Sequence, residues 1–136
     1  MILRRYILLF IICSLFLVGC TPQENTIQEI TDTDLGSITK IVFVDSASGE
    51  SIVTEDRLKI WEFTGYLEDF VLQESSDQQE RTEDRWAAEF YENGEKAFQI
   101  TFAKPLEING TDYEILEPQL DIEAVERFID KLPEND

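Results

Sequence analysis

Two Asn-Gly pairs, Asn93-Gly94 and Asn109-Gly110, constrain the fold of this 136-residue chain more than any other feature. Asn-Gly supplies the two positive-φ positions of a tight hairpin turn, and apolar residues alternate on both sides of each pair. Trp86, Ala88 and Phe90 precede the first pair, and Phe98, Ile100 and Phe102 follow it. Register follows from side-chain parity, because a slip of one residue moves every side chain to the other face. A two-residue Asn93-Gly94 loop would pair Trp86 with Thr101 and Glu89 with Phe98, splitting the apolar set between faces. A three-residue loop of Glu92, Asn93 and Gly94 pairs Ala88 with Phe98 and Trp86 with Ile100. The longer loop is therefore predicted, with Gly94 left-handed. At Asn109-Gly110 parity favours the tight turn. It sets Leu106 opposite Tyr113 and Ile108 opposite Thr111, keeping Leu106, Ile108, Tyr113 and Ile115 together.

Helical periods flank this meander. Residues 38–44 are rich in β-branched side chains and read as a strand, with 51–53 returning beside it. Thr54 reads as a helix N-cap, followed by Glu55 and Asp56 at the positive end of the helix dipole. Leu58, Ile60, Trp61, Phe63, Leu67, Phe70 and Val71 then form a broad apolar face, predicting a helix over 55–72 that packs on the sheet. Gly65 inside it weakens the helix by about 1 kcal/mol relative to alanine. Residues 73–84 are polar and without period, which predicts an exposed loop. Pro118 breaks the chain, Asp121 caps a last helix carrying Ile122, Val125, Phe128, Ile129 and Leu132, and Pro133 ends it. The expected fold is α+β: strand, helix, β-meander of three to four strands, helix, with a small antiparallel sheet and two helices packed on one face. Its single domain spans 38–132, and 133–136 form a tail.

The first part of the chain has a different character. Arg4 and Arg5 precede thirteen uncharged residues, 6–18, and the stretch closes in Leu17-Val18-Gly19-Cys20. A bilayer-spanning helix needs about 20 apolar residues, so this run is short for a span. All 29 acidic residues lie at or beyond Glu24. Residues 21–37 are polar apart from Ile27, Ile30 and Leu35 and read as a flexible tether, with a root-mean-square span of roughly 20–25 Å. The positive flank, apolar run, small residue and cysteine together resemble the lipobox of bacterial lipoproteins. That resemblance implies a signal peptide over 1–19, cleavage between Gly19 and Cys20, and diacylglycerol on the Cys20 thiol. It further implies attachment to the extracytoplasmic face of a bacterial cell membrane. On the residues alone, an uncleaved anchor or an ordinary secretory signal remains open. The order of elements, with Ile108-Asn109-Gly110 leading into a tyrosine-bearing strand, resembles small Gram-positive lipoproteins of the YhfM-like group. That group has no assigned activity, so the resemblance implies location and fold but no functional residue.

Composition narrows the chemistry after Cys20. Without residues 1–19, 9 basic residues face 29 acidic ones, a formal charge of −20. Such a surface repels nucleic acid and anionic headgroups and opposes self-association, so a monomer is expected. Its electrostatic partners are cations, basic peptides or basic protein patches. The chain has no histidine, Cys13 lies in the signal segment and Cys20 is taken by lipid, which leaves no imidazole or free thiol for catalysis or zinc binding. No glycine-rich phosphate loop or serine-nucleophile motif is present, and no cofactor is expected. EF-hand geometry needs glycine at the sixth loop position and glutamate at the twelfth. Counting from Asp32 gives Ser37 and Phe43, and counting from Asp45 gives Glu50 and Asp56, so neither loop qualifies. An irregular calcium site within 73–84 is a weaker alternative.

A carboxylate-dependent hydrolase would need Glu89 or Glu92 beside Glu107 or Asp112. Trp61, Phe63, Phe70, Trp86, Phe90, Phe98, Phe102 and Phe128 are expected in the core. Tyr66 and Tyr91 fall off the apolar faces and suit recognition. The leading expectation is a non-enzymatic, lipid-anchored module that engages an extracytoplasmic protein or peptide through its sheet face or the 73–84 loop. The alternatives are an accessory protein binding cations or basic peptides, and the hydrolase.

Overall fold

The computed structural model describes Arg4, Tyr6 and residues 23–75 and 86–133. Among the described residues, eight strands form one antiparallel sheet: β1 (Glu24–Asn25), β2 (Lys40–Asp45), β3 (Ser51–Thr54), β4 (Val71–Glu74), β5 (Trp86–Glu92), β6 (Glu95–Thr101), β7 (Leu106–Ile108) and β8 (Thr111–Glu117). Their order across the sheet is β1-β4-β8-β7-β6-β5-β2-β3. The helices are α1 (Ile27–Thr31), α2 (Arg57–Glu68) and α3 (Ile122–Asp130), with a 3-10 turn at Leu35–Ser37. The fold is thus mixed α+β, but its sheet is larger than a three- to four-strand meander. The β5 to β8 meander is its centre, and β2 with β3 and β4 with β1 extend it on either side.

The second Asn-Gly pair makes the tight turn that parity requires, with Leu106 opposite Tyr113 and Ile108 opposite Thr111. The first pair departs from the expected three-residue loop. Glu92 lies opposite Glu95, so Asn93-Gly94 alone forms the turn, and both residues have positive φ, 50° and 86°. Parity is restored one step further in, where Tyr91 faces Lys96 but Phe90 faces Phe98, leaving Ala97 as a bulge. Beyond the bulge Ala88 faces Ile100, two residues from the register expected. Ala88, Phe90, Phe98 and Ile100 are nevertheless all buried on one face.

The helix expected over 55–72 is shorter at both ends. Asp56, not Thr54, is its N-cap, accepting from the backbone N–H groups of Leu58 and Lys59 at 2.9 and 3.4 Å. The helix stops at Glu68, and Val71–Glu74 leaves it to become β4. There Leu72 pairs with Ile115 on one side and Asn25 on the other, so β-pairing overrides the helical period of Val71 and Leu72.

The expected tether is also folded from Glu24 onward. Thr26 and Glu29 form a reciprocal capping box that starts α1, and Asp34 caps the 3-10 turn. Ile27 and Leu35, two of the three large apolar residues in this polar run, are 0% exposed, so they pin it to the core. Among the described residues, regular structure is thus already present at Glu24, ahead of residue 38.

Both longer helices lie on one face of the sheet. Phe63 of α2 is the hub: its ring centroid lies 5.1 Å from Phe43, 6.2 Å from Phe90, 5.8 Å from Phe102 and 4.9 Å from Phe128 of α3. Phe90 stacks on Phe98 across β5 and β6 at 4.4 Å. Such offset and edge contacts add roughly 0.5–1.5 kcal/mol per pair beyond area burial. Asp121 caps α3 as expected, accepting from the Ala124 N–H at 3.1 Å, and Val125, Phe128, Ile129 and Leu132 are buried.

Candidate functional site

Gly19 and Cys20, the residues of the expected cleavage and lipidation, lie outside the described residues, as do residues 76–84 of the expected 73–84 loop. Gln73 and Glu74 of that loop belong to β4. What the structure positions are the carboxylates, tyrosines and exposed apolar groups.

Glu107 and Asp112 stand directly opposite each other on β7 and β8, and both engage further groups. Glu89 lies opposite Gln99 and holds Lys96 in an ion pair of 3.0 Å, while Glu92 sits at the tip of the first hairpin opposite Glu95. The hairpin carboxylates and the Glu107–Asp112 pair are thus on different strand pairs. The acidic loops near Asp32 and Asp45 turn carboxylates onto their own backbone: Asp34 accepts from the Gly36 N–H at 2.8 Å and Asp45 from the Ala47 N–H at 2.9 Å. These are Asx turns, which satisfy local N–H groups. Among the described residues no group of three or more acidic or thiol side chains is arranged to hold a metal ion.

The tyrosines separate. Tyr66 is a packing residue rather than a recognition residue: its ring meets Phe70 at 5.2 Å, and its hydroxyl accepts from the Asp121 N–H at 3.3 Å, tying α2 to the cap of α3. Tyr91 lies on the opposite face of the sheet, half-buried under Lys40 Nζ, 4.3 Å from its ring centroid. That face also carries Val42, Val44, Glu89 and Gln99, all only partly buried. Neither α2 nor α3 covers it.

Two clefts flank the β8 end of the sheet. One, about 430 Å³, is lined by Lys104, Pro105, Leu106, Glu114, Leu116 and Leu120. The other, about 760 Å³ and more polar, lies by the β1 edge among Gln23, Asn25, Glu29, Gln73, Glu74 and Tyr113. Burial, aided by the Glu74 charge, raises the Tyr113 hydroxyl above its ordinary pKa, favouring its neutral form.

The feature that sequence reasoning assigned to the wrong place is the outer face of α2. Leu58, expected on the apolar helix face, and Trp61, expected in the core, are 72% and 51% exposed, one turn apart. Arg57 lies over the Trp61 ring, 5.5 Å from its centroid. The signal was present in the helical wheel. At about 100° per residue, Ile60, Phe63 and Leu67 share an arc of roughly 60°, and Leu58 falls nearly opposite to it.

Compared with known protein families, curated proteins and solved structures, the chain matches none. No helix among the described residues is long and apolar enough to cross a membrane.

Proposed function

We propose that this chain is a lipid-anchored extracytoplasmic protein of a bacterial cell membrane, processed between Gly19 and Cys20 and held by diacylglycerol on Cys20. In this reading it is a non-enzymatic interaction module. The carrying observation is Leu17-Val18-Gly19-Cys20 closing an uncharged run after Arg4 and Arg5, three residues before the described fold resumes at Gln23. Two acyl chains are the number that stable anchoring generally requires. The working surface is the sheet face away from α2 and α3, where Tyr91, Lys40, Glu89 and Gln99 offer aromatic, cationic, anionic and amide groups to an extracytoplasmic protein or peptide.

Metabolic labelling with an alkyne-bearing fatty acid tests the anchor. The chain should take up label and float with membranes, and Cys20→Ala should do neither and should keep residues 1–19. Label on Cys20→Ala, or none on the parent chain, would refute the anchor. Proximity labelling from the anchored chain in its host tests the surface. One protein should be enriched by the parent chain and lost with Lys40→Ala/Tyr91→Ala; a profile that this double change leaves unaltered removes the sheet face as the working surface.

A further inference from the structure

The outward side of α2 serves neither the core nor the sheet face just described. Leu58 and Trp61 point away from the buried arc of Ile60, Phe63, Thr64 and Leu67, and Gly65, one turn beyond Trp61, leaves the helix surface open beside them. An indole and an isobutyl group left in water on adjacent turns form an apolar spot, met among the described residues by Arg57 over the indole. We infer that this face of α2, centred on Leu58 and Trp61, rests in the headgroup region of the membrane that holds Cys20. The inference depends on the proposed lipid anchor and adds to it an orientation and a second membrane contact.

Three observations favour a bilayer as the occupant. First, the leash is short. A flexible 17-residue tether would lift the domain clear of the headgroups, but the chain is already paired into the sheet at Glu24. Cys20 and Gln23 are three residues apart in sequence, and chain geometry limits that separation to about 11 Å. A domain so held cannot avoid the lipid surface; it has only a choice of which side to present. Second, the first helix after the leash lies with the helix layer. α1 and the 3-10 turn both contact α2, and their anchors Ile27 and Leu35 are buried in the core. Third, the chemistry of the spot suits the interface. Tryptophan with an aliphatic neighbour belongs at the level where headgroups meet acyl chains, and arginine and lysine stems reach from there to phosphate.

Two cations border the apolar spot. The part of the chain after residue 19 has 9 basic residues against 29 acidic, yet Arg57 and Lys59 both lie in the first turn of α2. Of the nearby acids, Asp56 is turned onto the helix N–H groups and Glu62 pairs with Lys59 at 3.8 Å. Glu55, Glu68 and Asp69 are further exposed acids of this stretch. α3 likewise mixes signs, with Glu123 and Asp130 exposed beside Arg127 and Lys131. Arg57 and Lys59, beside Leu58 and Trp61, are the groups of this side suited to meet headgroup phosphate.

The test uses the lipidated chain in vesicles of phosphatidylcholine and phosphatidylglycerol, with and without brominated acyl chains. The protein has two tryptophans, Trp61 and the buried Trp86, so the difference between the parent and Trp61→Phe isolates the Trp61 emission without touching the core. The inference requires that emission to be blue-shifted, quenched by bromine and shielded from aqueous acrylamide, with Leu58→Glu reversing all three. If the chain floats with the vesicles but Trp61 stays open to acrylamide and blind to bromine, the inference is wrong and the anchor stands. If the chain does not float, the anchor fails and the inference with it. Shielding of Trp61 in host membranes but not in vesicles would assign the spot to a protein partner and overturn the bilayer contact.

Discussion

Helices α2 and α3 are alike in how they are built and unlike in what they show to solvent. Each begins at an aspartate cap and each buries a phenylalanine against the same sheet face, with Phe63 and Phe128 meeting at 4.9 Å. α3 follows the amphipathic rule, with Val125, Phe128 and Ile129 inward and Glu123, Arg127 and Asp130 outward. α2 breaks it by carrying apolar groups on both sides. Burial, full or partial, accounts for every large apolar side chain of α3 but leaves out Leu58 and Trp61 of the six on α2, so the outer residues of α2 need a reason outside the domain core.

The largest effect should come from the shared core, and it should be unequal. Phe63 meets Phe43, Tyr66, Phe90, Phe102 and Phe128, whereas Phe128 meets Phe43 and Phe63 and is itself 9% exposed. Phe63→Ala should cost about 5 kcal/mol and Phe128→Ala about 3, read from urea midpoints at constant slope. Equal costs would mean that the two helices contribute alike and that α2 is not the hub.

Next come the caps. Asp56→Ala should cost about 1 kcal/mol, the usual worth of an aspartate N-cap. Asp121→Ala should cost more, up to about 2 kcal/mol, because Asp121 also lies 3.5 Å from Arg127 Nη2. Arg127 is itself exposed, so the ion pair adds only a small share. Adding salt should narrow the gap between the two variants, since screening acts on the pair and not on the cap hydrogen bond. A gap that salt leaves untouched would remove Arg127 from the account.

The same comparison shows what the sequence could and could not say. α3 was legible from Asp121 to Leu132 because its apolar residues fall on one narrow arc. α2 misled because counting apolar residues without their angles put Leu58 and Trp61 on the buried side, and because Val71 and Leu72 continue the helical period into a strand. The second hairpin was readable in full, since parity and turn type agreed there. At the first, parity gave the buried face correctly but not the device: Ala97 bulges so that a tight Asn93-Gly94 turn and a one-sided apolar face coexist. The Thr26-Ile27-Gln28-Glu29 capping box was written in the sequence, yet a five-residue helix is too short to show a period. The candidate membrane face was therefore recoverable in principle from helical angles, but the short leash behind it was not. Its shortness depends on Glu24 pairing with Gln73, a contact between distant residues.

Gly65→Ala should move stability the other way. The glycine is helical and exposed on α2, and a Cβ there meets nothing within 4 Å, so alanine should stabilise the domain by about 1 kcal/mol through helix propensity. α3 has no glycine to improve. A loss on Gly65→Ala would show that residues outside the described set occupy the space beside Trp61.

The smallest effect is the one that bears most directly on the difference between the helices. Leucine and glutamine have similar helix propensity, and Leu58 is 72% exposed, so Leu58→Gln should change stability by no more than about 0.5 kcal/mol. Ile129→Gln, the inward counterpart on α3, removes a side chain that is 1% exposed and buries an amide in its place. Near-neutrality at Leu58 beside severe loss at Ile129 would establish that α2 keeps its outer leucine for something other than folding. If Leu58→Gln proved costly in urea, Leu58 would be a folding residue after all and the asymmetry between the two helices would vanish.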